Sequence, residues 1–346
     1  MKAMALTGIR QMEMIELPMP ELRHSDDVLI KMKVVGVCGS DVHYFTNGKI
    51  GSQVVSYPFP VGHEGAGEVI GIGSAVTRVK PGDRVAIEPA MPCGECDQCK
   101  TGRPHTCRKL RFLGCPGQAE GCLTEYIVMP ENSCFPIPKS MTYTEAAISE
   151  PLAIGLYAVN QSVSLSGKTI GILGFGPIGM SVLLSAKAKG GEKFYVTDLV
   201  PERLQIAKDC GATWTGNPKK SDVVGEITTR EPWLLDVVFE CCGKQEAIDQ
   251  AVELLKPGGK LMVIGIPEFD RWSFPVDQMR HKEVCVQNVR RQNHTVEETL
   301  DLLESGKIDV SKMPTHRFPF AETKKAFDLV MDYRDGVMKA MIDFNS

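Results

Sequence analysis

No stretch of the chain approaches the ~18 consecutive apolar residues of a membrane span, and no run of basic residues is longer than a pair. The first absence argues against a membrane helix. Taken with a formal net charge of −4, the second leaves no electrostatic footprint for nucleic acid or an anionic membrane surface. The opening segment MKAMALTGIRQMEMIELPMP is interrupted by Lys2, Arg10, Glu13 and Glu16, so it lacks the apolar centre of a secretion signal. A cytoplasmic location is expected. In that reducing compartment the twelve cysteines count against a disulfide framework and in favour of metal ligands and ordinary buried thiols. There is no internal repeat and no low-complexity segment.

What is present is a soluble globular composition, 43% hydrophobic and 24% charged with 33 glycines, over 346 residues. At roughly 100–200 residues per domain that length predicts about two domains. Up to about residue 150 the chain reads as short strands between Gly/Pro turns: DVLIKMKVVGVC (27–38), GAGEVIGIG (65–73), DRVAIEP (83–89) and LTEYIVMP (123–130). Such runs predict an antiparallel β-rich domain. From Lys168 short apolar strands alternate with helical stretches: KTIGILG, PIGMSVLLSAKAKGG, KFYVTD, VPERLQIAKDCGA, LDVVFE, KQEAIDQAVELLKPGG and KLMVIGI. That alternation predicts βαβ units around a doubly wound parallel sheet. Pro177 and Pro201 suit first helical turns, and KPGG at 256–259 reads as a helix stop. Beyond about 290 two helices are expected, near 296–305 and 321–332, around THRFPF.

ILGFGPIGM places Gly174, Gly176 and Gly179 in G-x-G-x-x-G after a strand and at the start of a helix. The first glycine permits a tight turn, the second lets backbone approach a pyrophosphate, and the third lets helix pack on strand. Asp198 ends the next strand, where an acid accepts hydrogen bonds from ribose hydroxyls and repels a 2′-phosphate. NAD is therefore the expected cofactor. Its contacts are expected from Gly174, Phe175, Gly176, Pro177 and Gly179, from Asp198, and from Ile264, Gly265 and Ile266.

MPCGECDQCKTGRPHTC spaces Cys93, Cys96, Cys99 and Cys107 as C-x2-C-x2-C-x7-C. Four thiolates so spaced suit a closed tetrahedral zinc site with no open position for substrate, a structural clasp. An exposed cluster of reduced thiols and an iron–sulfur cluster are the alternatives. A second set is dispersed: Cys38 in VGVCGSDVHYF, His63 and Glu64 in VGHEGAGEV, and Glu150 in SEPLAIG. Taken singly, each has a plainer explanation as a buried thiol, a polar pair in a turn or a helix-terminal carboxylate. Together they offer the thiolate, imidazole and carboxylates of a catalytic zinc that keeps a position open.

With CGSDVHYF…GKIG, VGHEGAGEV, KPGDRVAIEP and EPLAIG in this order, the chain resembles the zinc-dependent medium-chain alcohol dehydrogenase superfamily, most closely its polyol branch, the sorbitol, L-iditol and xylitol dehydrogenases. The resemblance covers essentially the whole chain. It implies a GroES-like catalytic domain over 1–150, completed by 290–346, and an inserted Rossmann NAD-binding domain over 151–289. It implies a catalytic zinc on Cys38, His63 and a glutamate, Glu64 or Glu150, with the choice between the two left open. Alcohol dehydrogenases proper usually carry cysteine where Glu150 stands, so the glutamate favours polyols.

By the same resemblance Ser40 passes the substrate's hydroxyl proton toward the cofactor ribose and His43, while Tyr44 and Arg291 contact substrate hydroxyls. Ile178, Asp198 and Arg203 match positions that contact NAD. Gln292 stands where the polyol enzymes carry a tyrosine, which bears on the identity of the polyol, and GCPGQAEGCLTEY at 114–126 is expected to line part of the pocket. The complete cysteine cage points to a microbial-type member. The implied reaction is oxidation of a polyol secondary alcohol to a ketose with hydride transfer to NAD. A threonine-type or simple-alcohol dehydrogenase is the alternative within the superfamily, and a non-catalytic NAD sensor or structural protein the alternative outside it. The family is usually dimeric or tetrameric, so a homo-oligomer is expected; KLMVIGIPE followed by an apolar strand at 284–289 reads either as a pairing edge between inserted domains or as an ordinary enclosed strand.

Overall fold

The computed structural model describes residues 1–344. They divide into two units, the first made of Met1–Glu150, Val296–Gly306 and the chain from Pro314 onward, the second of Pro151–Thr295 and Lys307–Met313. These bounds differ from the sequence expectation at 290–295 and 307–313, which group with the second unit. Local bonds account for the difference: Val289 donates to Val263 O at 2.9 Å, Thr295 Oγ1 to Ala153 O at 2.9 Å, and Lys312 pairs with Asp209 at 3.3 Å.

The first unit is built on a seven-stranded sheet ordered Cys134–Pro136, Arg84–Ile87, Glu64–Ile72, Asp27–Gly36, Lys339–Asp343 and Pro314–Pro319, with Tyr126–Pro130 also paired to Asp27–Gly36. Its pairings are antiparallel except the last, where Pro314–Pro319 runs parallel to Lys339–Asp343. The helices expected near 296–305 and 321–332 are Val296–Glu304 and Thr323–Met331. Pairing of Met341 with Gly36 and of Ile342 with Val35 brings the C-terminal strand beside the strand that leads into Cys38. One core joins these layers, with Ile30, Val35, Phe45, Leu123, Phe327 and Ile342 fully buried. Phe45 meets Phe327 edge to face at 5.5 Å, which seats the helix Gly39–Asn47 against Thr323–Met331.

In the second unit six parallel strands lie in the order Trp214–Gly216, Lys193–Thr197, Thr169–Leu173, Leu235–Glu240, Leu255–Val263 and Cys285–Asn288. In chain order this is 3-2-1-4-5-6, the doubly wound arrangement whose ligand crevice lies at the carboxyl ends of the strands where the order reverses. The reversal falls between Thr169–Leu173 and Leu235–Glu240, whose ends Leu173 and Glu240 are paired. Strand interiors are almost continuously apolar because both faces are covered.

Gly174, at φ +92°, makes the turn out of the first strand, and its N–H donates to Thr197 O at 2.9 Å. A Cβ on Gly179 would stand 2.1 Å from Gly174 O, so only glycine lets the helix Pro177–Ala188 start this close to the turn. The KPGG expectation is corrected: the helix Gln245–Leu254 stops earlier, and 256–259 already belongs to the strand Leu255–Val263. Leu255 turns extended ahead of the Lys256–Pro257 step, where helical geometry is disfavoured. The elements Trp214–Gly216 and Val223–Arg230 lie in a stretch where no element was expected; Asp222, capping the helix by accepting from Gly225 N at 3.0 Å, was the available signal. No helix of the described residues is long and apolar enough to cross a membrane.

Candidate functional site

Cys38, His63 and Glu64 come together in the first unit, their ligand atoms within 4.8 Å of one another. Cys38 stands immediately ahead of the helix Gly39–Asn47, so the partial positive charge of that helix end faces its sulfur. His63 and Glu64 sit where the chain enters the strand Glu64–Ile72, and Gly36 lies opposite Glu64 in the ladder. A Cβ on Gly36 would stand 2.3 Å from Glu64 Oε2, so the glycine makes room for the carboxylate. Glu150 precedes Pro151 in the helix Tyr143–Asn160 and is 6% exposed, and its Oε2 has no hydrogen-bond partner among the described residues.

A buried carboxylate oxygen without a partner is costly unless a cation or a proton meets it. Burial, reinforced by Glu64 and Glu88 and opposed by His63 and Lys339, pushes the Glu150 carboxyl up to about 8. Burial also disfavours a charged His63, yet Asp41 and Cys38 hold it well above its ordinary value. The unpartnered Glu150 oxygen calls for a cation or a proton, and a thiol, an imidazole and two carboxylates form the donor set of a catalytic zinc with an open position.

Two residues absent from the sequence expectation complete this centre. Asp41 is fully buried and accepts from His63 Nδ1 at 3.2 Å, Gly62 N at 3.2 Å and Cys38 N at 3.4 Å. It thus ties the two ligand-bearing segments together and leaves His63 Nε2 as the ligand atom. Its signal was in plain view, an acid three residues after Cys38 in the first turn of a helix. Lys339, 1% exposed, donates to Glu64 Oε1 at 2.6 Å, to Glu64 Oε2, and to Val37 O at 3.4 Å. No local pattern marks it, because only the sheet pairing brings it to Glu64.

Ser40 Oγ lies 3.3 Å from Cys38 Sγ. Ser40, His43 and Tyr44 are spaced three and four apart, so they share one face of their helix. The Tyr44 hydroxyl reaches Gln53 Oε1 at 2.9 Å and Cys115 Sγ at 3.8 Å, which puts the 114–126 segment beside it. Phe112 lies against the His63 ring, with centroids 5.4 Å apart.

The four cysteines of the clasp lie on the loop around Asp97–Lys100 with all sulfurs within 4.8 Å. Individual separations are 3.4 Å for Cys93–Cys107, 3.6 Å for Cys96–Cys99 and 3.8 Å for Cys96–Cys107. Four sulfurs placed tetrahedrally at a Zn–S distance of about 2.3 Å stand about 3.8 Å apart, so the set fits zinc. Backbone N–H groups of Arg108 and Cys99 draw the Cys96 thiol down to about 6, while burial pushes Cys99 up to about 12. Lys109–Glu95 at 2.6 Å and the bidentate Arg108–Asp97 pair brace the loop.

The residues expected to meet a nucleotide lie at the carboxyl ends of the strands beside the sheet reversal of the second unit. Asp198 accepts from Phe175 N at 2.6 Å and from Val200 N at 2.8 Å, so it pins the glycine turn and starts the helix Pro201–Asp209. Arg203 is buried, and its Nη1 lies 3.4 Å from where a Cβ would stand on Gly176. Ile178 is half-buried on the helix that follows the turn. Ile264 N and Gly265 N donate to Glu240 O at 2.9 and 3.1 Å, and Ile266 is 48% exposed. Arg291 takes a left-handed backbone (φ +55°), and Gln292 Oε1 accepts from Thr295 N at 3.0 Å. In this structure the Gln292 carbonyl therefore holds its own turn.

Two nucleotide and metal centres of this kind, one on a Gly-rich turn of a doubly wound sheet and one on a β-rich unit, define a metal-dependent dehydrogenase. Residues 24–139 match the alcohol dehydrogenase GroES-like domain and residues 177–305 the zinc-binding dehydrogenase domain. Sorbitol dehydrogenase of Bacillus subtilis is 37% identical over 343 residues, covering 99% of this chain and 97% of the relative. D-xylulose reductase A of Aspergillus oryzae is 34% identical, covering 93% and 91%. A zinc-binding dehydrogenase of Sinorhizobium meliloti, solved bound to NADP, superposes with a TM-score of 0.90 at 30% identity over 99% of both chains. The chain belongs to the zinc-dependent medium-chain alcohol dehydrogenase superfamily and is an enzyme of it.

Proposed function

We propose that the enzyme oxidises a secondary hydroxyl of a polyol to a ketose and passes the hydride to NAD. The observation that carries this reading is the donor set of Cys38, His63 and Glu64, with the buried Glu150 carboxylate, electrostatically linked to His63 and Glu64, leaving its Oε2 without a partner among the described residues. When bound, zinc supplies the positive charge that makes the substrate hydroxyl acidic, and NAD supplies the hydride acceptor. Cys38, His63 and one of the two glutamates would hold the metal. Asp41 fixes the His63 tautomer, and Lys339 balances the charge of Glu64.

Ser40, beside the Cys38 sulfur, takes the hydroxyl proton and hands on its own toward His43. Tyr44, on the same helix face as Ser40, holds a further substrate hydroxyl. The turn Gly174–Gly179 seats the pyrophosphate, Ile178, Arg203 and the 264–266 segment flank the dinucleotide, and Asp198 takes the ribose hydroxyls. A carboxylate there repels a 2′-phosphate, which favours NAD over the NADP carried by the Sinorhizobium relative. The polyol names of the two curated relatives support the substrate class.

The cysteine clasp acts structurally, with the second zinc. The edge strand Cys285–Asn288 supports a homo-oligomer, dimer or tetramer, formed by edge pairing, and the four-cysteine cluster, whose sulfurs bind metal only as reduced thiolates, supports a cytoplasmic location. The test is NADH formation across four- to six-carbon polyols, threonine and butanediol, repeated with Glu150→Ala. Turnover of sorbitol or xylitol, lost in the variant, is expected. Turnover confined to threonine or short diols would replace the polyol with the alternative substrate class.

A further inference from the structure

The Tyr44 hydroxyl carries a single proton, and the geometry gives it a destination. It donates to Gln53 Oε1 at 2.9 Å, well inside hydrogen-bond range, while Cys115 Sγ at 3.8 Å is at best a weak acceptor. Gln53 is delivered to this place by a tight hairpin. Ile50 pairs with Gln53 across the two residues Gly51 and Ser52, and Val55 N donates to Gly48 O at 2.8 Å, which anchors the hairpin on the end of the Tyr44 helix. Strand alternation then turns Gln53 inward while Val54 is 62% exposed. Tyr44 is 4% exposed, so its phenol is held in one orientation by packing as well as by the amide.

We infer that Gln53 is a specificity-determining residue that makes the Tyr44 oxygen an obligate acceptor toward substrate. With the phenol proton committed to Gln53, whatever else meets that oxygen must donate a hydrogen bond. A hydroxyl neighbouring the reacting carbinol does so; a carboxylate, carbonyl or phosphate oxygen in the same place does not, and meets a lone pair instead. Gln53 therefore selects neutral polyhydroxy substrates against those that carry an acceptor-only group beside the reacting carbon. This inference rests on the reading of Tyr44 as a substrate contact and deepens it.

The experiment measures KM and kcat separately for a neutral polyol such as xylitol or sorbitol in Gln53→Leu, Gln53→Glu, Tyr44→Phe and the double variant Gln53→Leu/Tyr44→Phe. Leucine removes the acceptor for the phenol proton; an ionised glutamate restores it. Gln53→Leu is expected to raise KM about tenfold with kcat changed less than about twofold, the size of one misdirected hydrogen bond. Gln53→Glu is expected to return KM to within about threefold of the parent, and the double variant to be no worse than Tyr44→Phe. A hairpin that matters only structurally would lower kcat and thermal stability in both Gln53 variants without rescue by glutamate. An unchanged KM in Gln53→Leu, or full additivity in the double variant, overturns the inference. An unchanged KM in Tyr44→Phe overturns instead the reading of Tyr44 as a substrate contact.

Discussion

Replacing Lys339 by methionine keeps the stem of the side chain and removes its charge, leaving the Glu64 carboxylate enclosed without its partner. Both members of the pair are 1% exposed, and Lys339 supplies hydrogen bonds to each Glu64 oxygen as well as to Val37 O. Burial alone would drive the lysine toward its neutral form, but Glu64 and Cys38 overcome this and raise it, so the ammonium is retained at neutral pH. Water cannot replace these contacts without opening the junction of Lys339–Asp343 with Asp27–Gly36. Breaking one side of such a buried pair costs about 3–5 kcal/mol. That corresponds to a fall of roughly 10 °C in the unfolding midpoint of a unit this large. The assay is thermal and urea unfolding of the metal-free protein, which keeps zinc from compensating Glu64. The double variant Glu64→Gln/Lys339→Met removes the stranded charge and is expected to recover at least half of the loss. A Lys339→Met protein within about 1 kcal/mol of the parent, with no gain from the second change, would refute the reasoning.

Asp41→Ala frees the His63 Nδ1 and removes the tie between the two ligand segments. Zinc affinity at the catalytic site is expected to fall about 10–100-fold, read by competition with a chromogenic chelator. Asp236 accepts from Thr169 N and Oγ1 at 2.9 and 3.0 Å and pairs with Lys256 and with Lys168 at 3.3 Å. Burial works to raise its pKa, but these partners bring it down to about 2, below its ordinary value of 3.8. A lowered pKa stabilises the fold above the unfolded value and loses that contribution as the pH drops through the folded one. Asp236→Asn should therefore cost about 2 kcal/mol at neutral pH, and the difference should close between pH 4 and pH 2 in urea titrations. Asp198→Ala removes the carboxylate proposed to meet the ribose, and the ratio of kcat/KM for NAD over NADP is expected to fall about tenfold or more.

What could be read from the letters was what is local. Gly174, Gly176 and Gly179 declare a tight turn into a helix because the constraint lies within a few residues, and Cys93 to Cys107 declare a cluster of sulfurs for the same reason. Asp41 is local too, and was passed over because an acid in a helical first turn also serves as an ordinary cap. Lys339 is different: 275 residues separate it from Glu64, and only the antiparallel register of the last strand makes them partners. Gln53 is intermediate, nine residues from Tyr44, but its inward orientation depends on a two-residue turn that shares its letters with many loops. At 290–295 and 307–313 the grouping with the second unit is set by backbone pairing of Val289 to Val263, the contact of Thr295 with Ala153 and the Lys312–Asp209 pair, none of which leaves a trace in composition.

The central claim is that Cys38, His63 and a glutamate hold the working zinc while the four-cysteine loop holds another that takes no part in the reaction. Zinc content and polyol-dependent NADH formation, measured together on the parent, His63→Ala and Cys96→Ser, test it most directly. The account predicts two zinc ions per chain in the parent, one in each variant, and loss of turnover in His63→Ala while folded Cys96→Ser still reacts. Turnover at the parent rate in a His63→Ala protein that has lost its zinc would contradict it.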